Sequence, residues 1–366
     1  MKERGLDAVL VYGTYQGWQN VFYLSNHWDL VSCYYLLPAD GDPILITGLY
    51  PHLASVRDNA VTRDIRFGGT GSIELITGIL KNRGLSNRTV GLIEPDSYRV
   101  PGIPHKDMAR LRDLNPDVQF VPSTAMLEEI RRAKSGEELT ILRQCAVLTD
   151  NCLSRVFDAV RPGITDKDLA HEIASAPGDT VAVLVGSTSM RDPHVPAPAI
   201  RPISRELKLG DVVMFELSKG GAGYAGQVHG VVTLGPATDR VAEMHALANE
   251  AYRSVVSVLR PGCSPQDAAA AATMITRKGY TIANPLIHGF GMGIEPGLHV
   301  GLPGSAAYWP PADFTFSKDA TLTIEPNPCN REMTMGSTSG GLVLITADGC
   351  EEMQKLAGHD LIQKPA

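Results

Sequence analysis

Apolar and polar positions over the first third of the chain alternate between strand-like and helix-like patterns. Four apolar runs have the length of strands, at residues 6–12, 34–37, 44–47 and 89–93. Residues 73–81 and 106–114 instead show the spacing of amphipathic helices. Strands that alternate with helices indicate an α/β domain with a mostly parallel or mixed sheet. We place the end of this domain at Val121.

The pattern changes after Val121 to long helices followed by strands. Three hydroxyl residues stand where helix N-caps are expected, namely Ser135, Thr165 and Ser264. Further strands are predicted at residues 181–185, 212–217 and 227–234. The sequence Arg-Pro-Gly precedes a capped helix twice, at 161–163 and 260–262. This repetition indicates a faint internal duplication, although Pro-Gly also ends unrelated helices.

Length and composition narrow the class of protein. A chain of 366 residues is too long for one ordinary core, so we expect two domains. A net charge of -7 leaves no basic stripe for nucleic acid, and no apolar run is long enough to cross a membrane. The six cysteines are scattered without a C-x-x-C pair, and the first residues lack a signal-peptide pattern. We therefore predict a cytoplasmic protein that binds neither nucleic acid nor membrane.

Two late segments carry candidate chemistry. The run Ile287–Gly293 sets His288 among glycines and apolar residues, and Glu325 ends the apolar step Thr-Ile-Glu. Glycine has no Cβ, so the backbone at such a run can approach a ligand closely. A glycine-rich run with one histidine is also common in tight turns. A chemical role for His288 and Glu325 is favoured by other polar residues that precede them in the chain, namely His194, Glu216, Gln227 and His229.

Several ordered motifs are similar to those of the pita-bread family, which contains aminopeptidase P, prolidase, methionine aminopeptidase and the metal-free creatinase. They include Arg-Arg-Ala-Lys-Ser-Gly-Glu-Glu-Leu from Arg131, Leu-Lys-Leu-Gly-Asp-Val-Val from Leu207, His-Gly-x-Gly and Thr-Ile-Glu-Pro. The segment from Gly5 resembles the N-terminal domain of creatinase and prolidase. The resemblance covers essentially the whole chain. It implies an α+β protein, with a creatinase/prolidase-like α/β domain at residues 1–121 and a pita-bread catalytic domain of duplicated α-β units at residues 122–366.

Peptidases of this family hold two metal ions with two aspartates, a histidine and two glutamates. The resemblance puts these five positions at Glu216, Gln227, His288, Glu325 and Gly340. Two cations a few Å apart repel unless anionic ligands lie between them. Because Gln227 is a neutral amide and Gly340 has no side chain, we expect no two-metal centre and predict no metal cofactor.

Creatinase hydrolyses a C–N bond without metal, with a histidine that shuttles the proton. The resemblance gives this role of general base and acid to His194, in Asp-Pro-His-Val-Pro, with His288 and Glu325 as further catalytic residues. The predicted substrate-binding residues are Glu216, Gln227, His229, Glu295, His299 and Trp28. The resemblance also implies a homodimer with the active site near the subunit interface, where a second subunit supplies Trp28.

We therefore predict a metal-independent hydrolase of a C–N bond in a small amide, urea or guanidino compound. Three alternatives stay open. A mononuclear metal-dependent hydrolase or lyase would use Glu216, His229, His288 and Glu325 as its N and O donors. A catalytically inactive binding module would keep only the fold. An Xaa-Pro peptidase would use the same positions with unusual ligands.

Overall fold

The computed structural model describes residues 1–95, 102–198, 202–302 and 310–365. The chain divides into two compact units, Met1–Arg131 and Arg132–Ala366. The first unit extends past the predicted end at Val121. The helix that follows, Thr124–Arg132, explains the difference because it buries Met126 and Leu127 in the core of that unit.

The first unit is built around a six-stranded mixed sheet. Its strands are β1 Ala8–Gly13, β2 Cys33–Pro38, β3 Ile44–Thr47, β4 Asp64–Phe67, β5 Thr89–Ile93 and β6 Gln119–Pro122. They lie in the order β4-β3-β2-β1-β5-β6. β1 runs antiparallel to β2 and parallel to β5, so the sheet is mixed, as the alternating pattern allows.

The α-helices in the described residues of this part of the chain are α1 Gln19–Ser25, α2 Leu53–Asn59, α3 Ser72–Asn82, α4 His105–Leu114 and α5 Thr124–Arg132. The spacing of Ile73, Ile76 and Leu80 puts their side chains on one stripe of α3. This stripe packs against Leu10 and Leu36 of the sheet. Burial of an aliphatic side chain of this size stabilises the fold by about 1.5–3 kcal/mol.

The second unit is built on a nine-stranded sheet with a small two-stranded ribbon. The strands are β7 Asp179–Ser189, β8 Asp211–Gly221, β9 Tyr224–Leu234, β10 Thr281–Ile282, β11 Ile287–Gly291, β12 Gly293–Val300, β13 Thr321–Ile324, β14 Pro328–Cys329, β15 Gly341–Ile345, β16 Cys350–Glu352 and β17 Ile362–Lys364. The main sheet runs β12-β11-β13-β15-β9-β8-β7, with β16 beside β15 and β17 beside β9, and β10 pairs β14. The helices are α6 Gly136–Ala159, α7 Asp166–Ser175, α8 Asp239–Val258, α9 Pro265–Ala270 and α10 Met274–Arg277.

Three of these helices begin where the sequence predicts a cap. The hydroxyls of Ser135, Thr165 and Ser264 each accept the backbone N–H three residues later, and an acidic side chain there returns the bond. Both Arg-Pro-Gly steps make the same turn, because Gly163 and Gly262 have φ of 88° and 85°. This left-handed region suits glycine, which has no Cβ to clash.

Side chains of the sheet alternate between a face covered by helices and a face directed away from them. On β8, Val213, Phe215 and Leu217 share a core with Leu153 of α6. Successive strand residues point to opposite faces, so Glu216 is directed away from that core. β13 repeats this arrangement.

On β13, Leu322 and Ile324 pack with Tyr252 and Val255 of α8, and Thr323 points the other way. In each half of the sheet, one apolar face thus packs against helices, and the opposite face carries polar side chains.

Within the described residues, every helix is too short or too polar to cross a membrane.

Candidate active site

Four strands of the second unit carry polar side chains that converge on one place. Glu216 of β8 lies directly opposite His229 of β9, and Gln227 lies two residues from His229 on the same face. His288 of β11 lies opposite Thr323 of β13. A pairing of β15 with β9 joins the two halves of the sheet.

Glu325 follows the last residue of β13 and connects the two halves of the cluster. Its backbone N–H donates to the carbonyl oxygen of Leu286 at 2.9 Å, which holds the residue beside β11. Its Oε2 lies 3.1 Å from Nε2 of His229, and its Oε1 lies 3.7 Å from Nε2 of His288. Both histidines and Glu325 are buried. One carboxylate thus faces two imidazoles in the interior.

Glu216 completes a set of three potential metal ligands. One atom each from Glu216, His229 and Glu325 lie within 4.8 Å of one another. The amide of Gln227 donates from Nε2 to Oε1 of Glu216 at 2.7 Å. This bond fixes one carboxylate oxygen of Glu216.

The pKa values of the two carboxyl groups of this cluster are shifted in opposite directions. Burial raises the pKa of Glu216, and the charge of Glu325 raises it further against the pull of the histidines. Burial also acts to raise the pKa of Glu325, but His288 and His229 outweigh it and lower the pKa. Burial acts to lower the pKa of His288, and the charge of Glu325 reverses this effect. Without a cation between them, the groups favour one anionic carboxylate beside a charged imidazole.

Three polar atoms of the cluster lack hydrogen-bond partners among the described residues. They are Nε2 of His229, Oε1 of Gln227 and Oγ1 of Thr323. Nε2 of His229 is close to Glu325, but the contact does not have hydrogen-bond geometry. A buried donor or acceptor left unpaired costs about 1–3 kcal/mol. A nitrogen and a carboxylate oxygen that face each other in this way would both be satisfied by a cation.

The other side of the His229 ring is held firmly. Its Nδ1 lies 2.9 Å from the hydroxyl oxygen of Thr338, and its backbone N–H donates to the carbonyl oxygen of Gly340 at 3.0 Å. When Nδ1 donates its proton to Thr338, the lone pair of Nε2 points toward Glu325 and Glu216. This tautomer is the one that a metal ion needs.

The residues do not fit a centre with two metal ions. Gln227 commits its amide N–H to Glu216 and offers only a neutral oxygen. Gly340 offers no side chain, and a Cβ added there would lie 1.9 Å from the carbonyl oxygen of Ile324. The prediction that these two positions could not bridge two cations therefore agrees with the local geometry. The donor set of two carboxylates and one imidazole fits a single divalent ion.

Four other predicted site residues lie in different surroundings. His194 is exposed on a loop after β7, where its Nδ1 lies 3.1 Å from the hydroxyl of Thr188. The described hydrogen bonds and ion pairs of His194 include none with Glu216, His288 or Glu325. Trp28 belongs to the first unit, is 43% exposed and stacks 5.3 Å from the ring of Tyr15. Neither residue is brought into the cluster by these contacts.

Glu295 and His299 lie on β12, beside the strand that carries His288. The ring of His299 is 6.1 Å from the ring of His288, as their direct pairing across the two strands requires. Glu295 instead forms a buried ion pair with Lys134. Its carboxylate is therefore already neutralised, which differs from the predicted role in substrate binding.

The sequence alone does not identify two residues of this region, Lys134 and Thr338. Lys134 stands inside the Arg-Arg-Ala-Lys motif, yet its partner Glu295 is 161 positions away and no local pattern connects them. Thr338 stands in Ser-Thr-Ser just before Gly340. Only the pairing of β9 with β15 brings it to His229, so its position in the sequence gives no signal.

Comparison with known proteins identifies the family. The model of Metallopeptidase family M24 matches residues 140–347, and that of the Creatinase/Prolidase N-terminal domain matches residues 1–133. The probable dipeptidase PepE of Mycobacterium bovis is 26% identical over 257 residues, which cover 67% of this chain and 64% of that protein. The Xaa-Pro dipeptidase of Lactobacillus helveticus is 25% identical over 194 residues, 52% of each chain.

Solved structures share the fold along the whole chain. The X-Pro aminopeptidase from Thermotoga maritima MSB8 has a TM-score of 0.83 and 19% identity, over 100% of this chain and 97% of that one. The Xaa-Pro dipeptidase from Bacillus anthracis has a TM-score of 0.80 and 19% identity, over 99% and 96%. The predicted fold class is confirmed.

The prediction of a metal-independent hydrolase of small amides, ureas or guanidino compounds is wrong. The matched family is one of metallopeptidases, and the two relatives described above are named as dipeptidases. The loss of two bridging carboxylates argues against a pair of ions, but it leaves the donor atoms for one. The family model matches more than half of the chain, and the model of the N-terminal domain matches the residues before that part. The chain therefore belongs to Metallopeptidase family M24.

Proposed function

We propose that this chain hydrolyses the peptide bond of short peptides and uses one divalent metal ion held by Glu216, His229 and Glu325. The observation that carries the proposal is Nε2 of His229, buried 3.1 Å from Glu325 Oε2 without a hydrogen-bond partner. The names of the relatives, dipeptidase and Xaa-Pro dipeptidase, support a peptide as the substrate.

Each neighbouring residue has a role in this scheme. A divalent ion bound at the three ligands supplies the Lewis acidity that polarises a carbonyl group. Gln227 orients Glu216 by its hydrogen bond to Oε1. His288 donates from Nδ1 to the carbonyl oxygen of Gly289 at 3.1 Å, so its Nε2 is the atom that holds and releases a proton. Nε2 takes up a proton from the water molecule that adds to the carbonyl carbon, and it delivers this proton to the nitrogen as the C–N bond breaks.

The test is an assay of the purified chain on dipeptides after the removal of bound metal. Ala-Pro, Gly-Pro and Ala-Ala are incubated with Zn²⁺, Mn²⁺ or chelator, and the released amino acid is measured. We expect hydrolysis with at least one ion and none with chelator. Glu325→Gln should abolish it, whereas Glu332→Gln, at an exposed glutamate a few residues later, should leave it unchanged.

Two results would contradict the proposal separately. Equal rates with ion and with chelator would exclude the metal ion from the reaction. A failure to cleave every peptide, by protein that is folded and loaded with metal, would exclude the peptide substrate.

The predicted homodimer, cytoplasmic location and role of Trp28 stay predictions. Sedimentation velocity checks the first of these directly. If the protein is a dimer, Trp28→Ala should raise KM for the cleaved peptide without weakening ion binding, because Trp28 is predicted to act on substrate from the second subunit.

A further inference from the structure

Three consecutive hydroxyl side chains lie just before β15, at Ser337, Thr338 and Ser339. All three are almost completely buried, with exposed fractions of 1%, 1% and 2%. Each one contacts a different residue. A run of short polar side chains in the interior requires such partners, because an unpaired buried hydroxyl is unfavourable.

The outer two side chains fasten the segment to helix α8. Nδ1 of His245 lies 3.2 Å from the hydroxyl of Ser337, and Ser339 donates its hydroxyl proton to Oδ1 of Asn249. His245 and Asn249 are four positions apart, so they lie on the same face of the helix. The segment between them is therefore fixed at both ends.

The central side chain points to the metal ligand. The hydroxyl of Thr338 lies 2.9 Å from Nδ1 of His229, and Gly340 accepts the backbone N–H of the same histidine. The side chain and the main chain of His229 are thus both held by residues 338–340. The arrangement leaves Nε2 directed at Glu325.

We infer that Thr338 is a positioning residue, which fixes the tautomer and orientation of His229 and thereby sets the affinity of the site for its ion. The inference rests on the proposed metal centre. Nδ1 donates to the threonine oxygen, and the lone pair on Nε2 stays available for the cation. The bonds from His245 and Asn249 keep the threonine from turning away.

The experiment compares zinc binding to three variants by calorimetry on metal-free protein. Thr338→Val keeps the shape and removes the acceptor. Thr338→Ser keeps the hydroxyl and serves as the conservative rescue. Thr188→Val is the matched control, because Thr188 makes the same kind of contact with Nδ1 of His194 outside the ligand set.

We expect Thr338→Val to bind Zn²⁺ about 10–100-fold more weakly, as is typical when a partner of a ligating histidine is lost. Thr338→Ser and Thr188→Val should stay within about threefold of the wild type, by the same reasoning. Nitrogen NMR of ¹⁵N-histidine-labelled protein gives a second readout. The His229 signals should change from one tautomer to a mixture in Thr338→Val alone.

The outcomes separate this inference from the proposed function. If the wild type binds zinc tightly and Thr338→Val binds it equally well with an unchanged tautomer, the role of Thr338 is wrong and the metal centre stands. If the wild type binds no zinc or manganese, both are overturned. A fall in affinity that serine does not rescue, together with a lower unfolding temperature, would assign Thr338 a purely structural role and also overturn the inference.

Discussion

Two buried glutamates of the same sheet differ in what they face. Glu295 on β12 meets the ammonium group of Lys134, which also donates to the carbonyl oxygen of Arg132 at 3.1 Å. Glu325 after β13 faces His229 and His288, which are charged only when protonated. The exposed fractions are similar, 7% and 3%, so burial does not distinguish the two.

The difference lies in whether the charge of each glutamate has a permanent partner. In the buried ion pair of Lys134 and Glu295, each charge is already neutralised by the other. At Glu325 the facing nitrogen of His229 has no hydrogen-bond partner, and Glu216 adds a second carboxylate. We infer that the first pair maintains the fold, whereas the second cluster has the donor atoms to hold a cation.

The largest effect is expected when the closed pair is broken. Glu295→Leu leaves the ammonium group of Lys134 buried and unpaired, which should lower the free energy of unfolding by about 3–5 kcal/mol. Chemical denaturation of the metal-free protein measures the change. Lys134→Met combined with Glu295→Leu should recover most of the loss, because two apolar side chains replace the pair. A single variant as stable as the wild type would show that the pair is not a structural one.

A smaller effect, of a different kind, is expected at the open cluster. Glu325→Gln should weaken zinc binding by more than about 100-fold, because loss of a direct ligand should exceed the 10–100-fold effect of an outer partner. The free energy of unfolding should fall by less than in Glu295→Leu, because the attraction of Glu325 to His288 and His229 is lost while its repulsion with Glu216 is relieved. Calorimetry and denaturation measure the two quantities. Loss of stability with unchanged zinc affinity would reverse the assignment of the two glutamates.

A third buried group, His245, shows how an ionisable side chain is held neutral. Nε2 of its imidazole donates to the carbonyl oxygen of His359, and burial lowers its pKa to about 4, against the opposing effect of that bond. The unfolded chain therefore binds the extra proton first as the pH falls. Stability from this group is complete above about pH 6.5 and is lost toward pH 4, by about 3 kcal/mol. The pKa of His359 is also lowered by burial, so it adds to the loss.

The measurement is the free energy of unfolding of the wild type and of His245→Gln between pH 7 and pH 4. The difference between the two proteins should shrink as the pH falls, because the glutamine does not titrate. A difference that stays constant over this range would contradict a neutral, buried His245.

The smallest effect is expected at Gln227. Gln227→Leu removes the amide that donates to Glu216 and should weaken zinc binding about tenfold, the lower end for an outer partner. The neutral amide N–H of Gln227 holds Glu216 less strongly than a charged donor would. The number of ions bound per chain should stay the same. A variant that binds one ion fewer would mean that Gln227 is itself a ligand.

Much of the fold could be predicted from local patterns. The apolar runs of the first unit, the caps at Ser135 and Thr165, and the two Arg-Pro-Gly turns depend on neighbouring residues, which the sequence displays directly. The domain boundary was less accessible. Only the packing of Met126 and Leu127 shows that the helix after Val121 belongs to the first unit.

The sequence could indicate which residues form the candidate site, but it could not show how they are arranged. The resemblance singled out Glu216, His229, His288 and Glu325 one by one. The pairing of Glu216 with His229 follows from the register of β8 and β9, which no spacing in the sequence states. For the same reason the partner of Glu295 was missed, and the carboxylate was expected to bind substrate.

The proposed function depends on one ion per chain, held by Glu216, His229 and Glu325. Plasma mass spectrometry of untagged protein, after exposure to excess Zn²⁺ or Mn²⁺ and gel filtration, measures this number. We expect one ion per wild-type chain and almost none in His229→Asn. Two ions per chain, or one ion that is retained without His229, would contradict it.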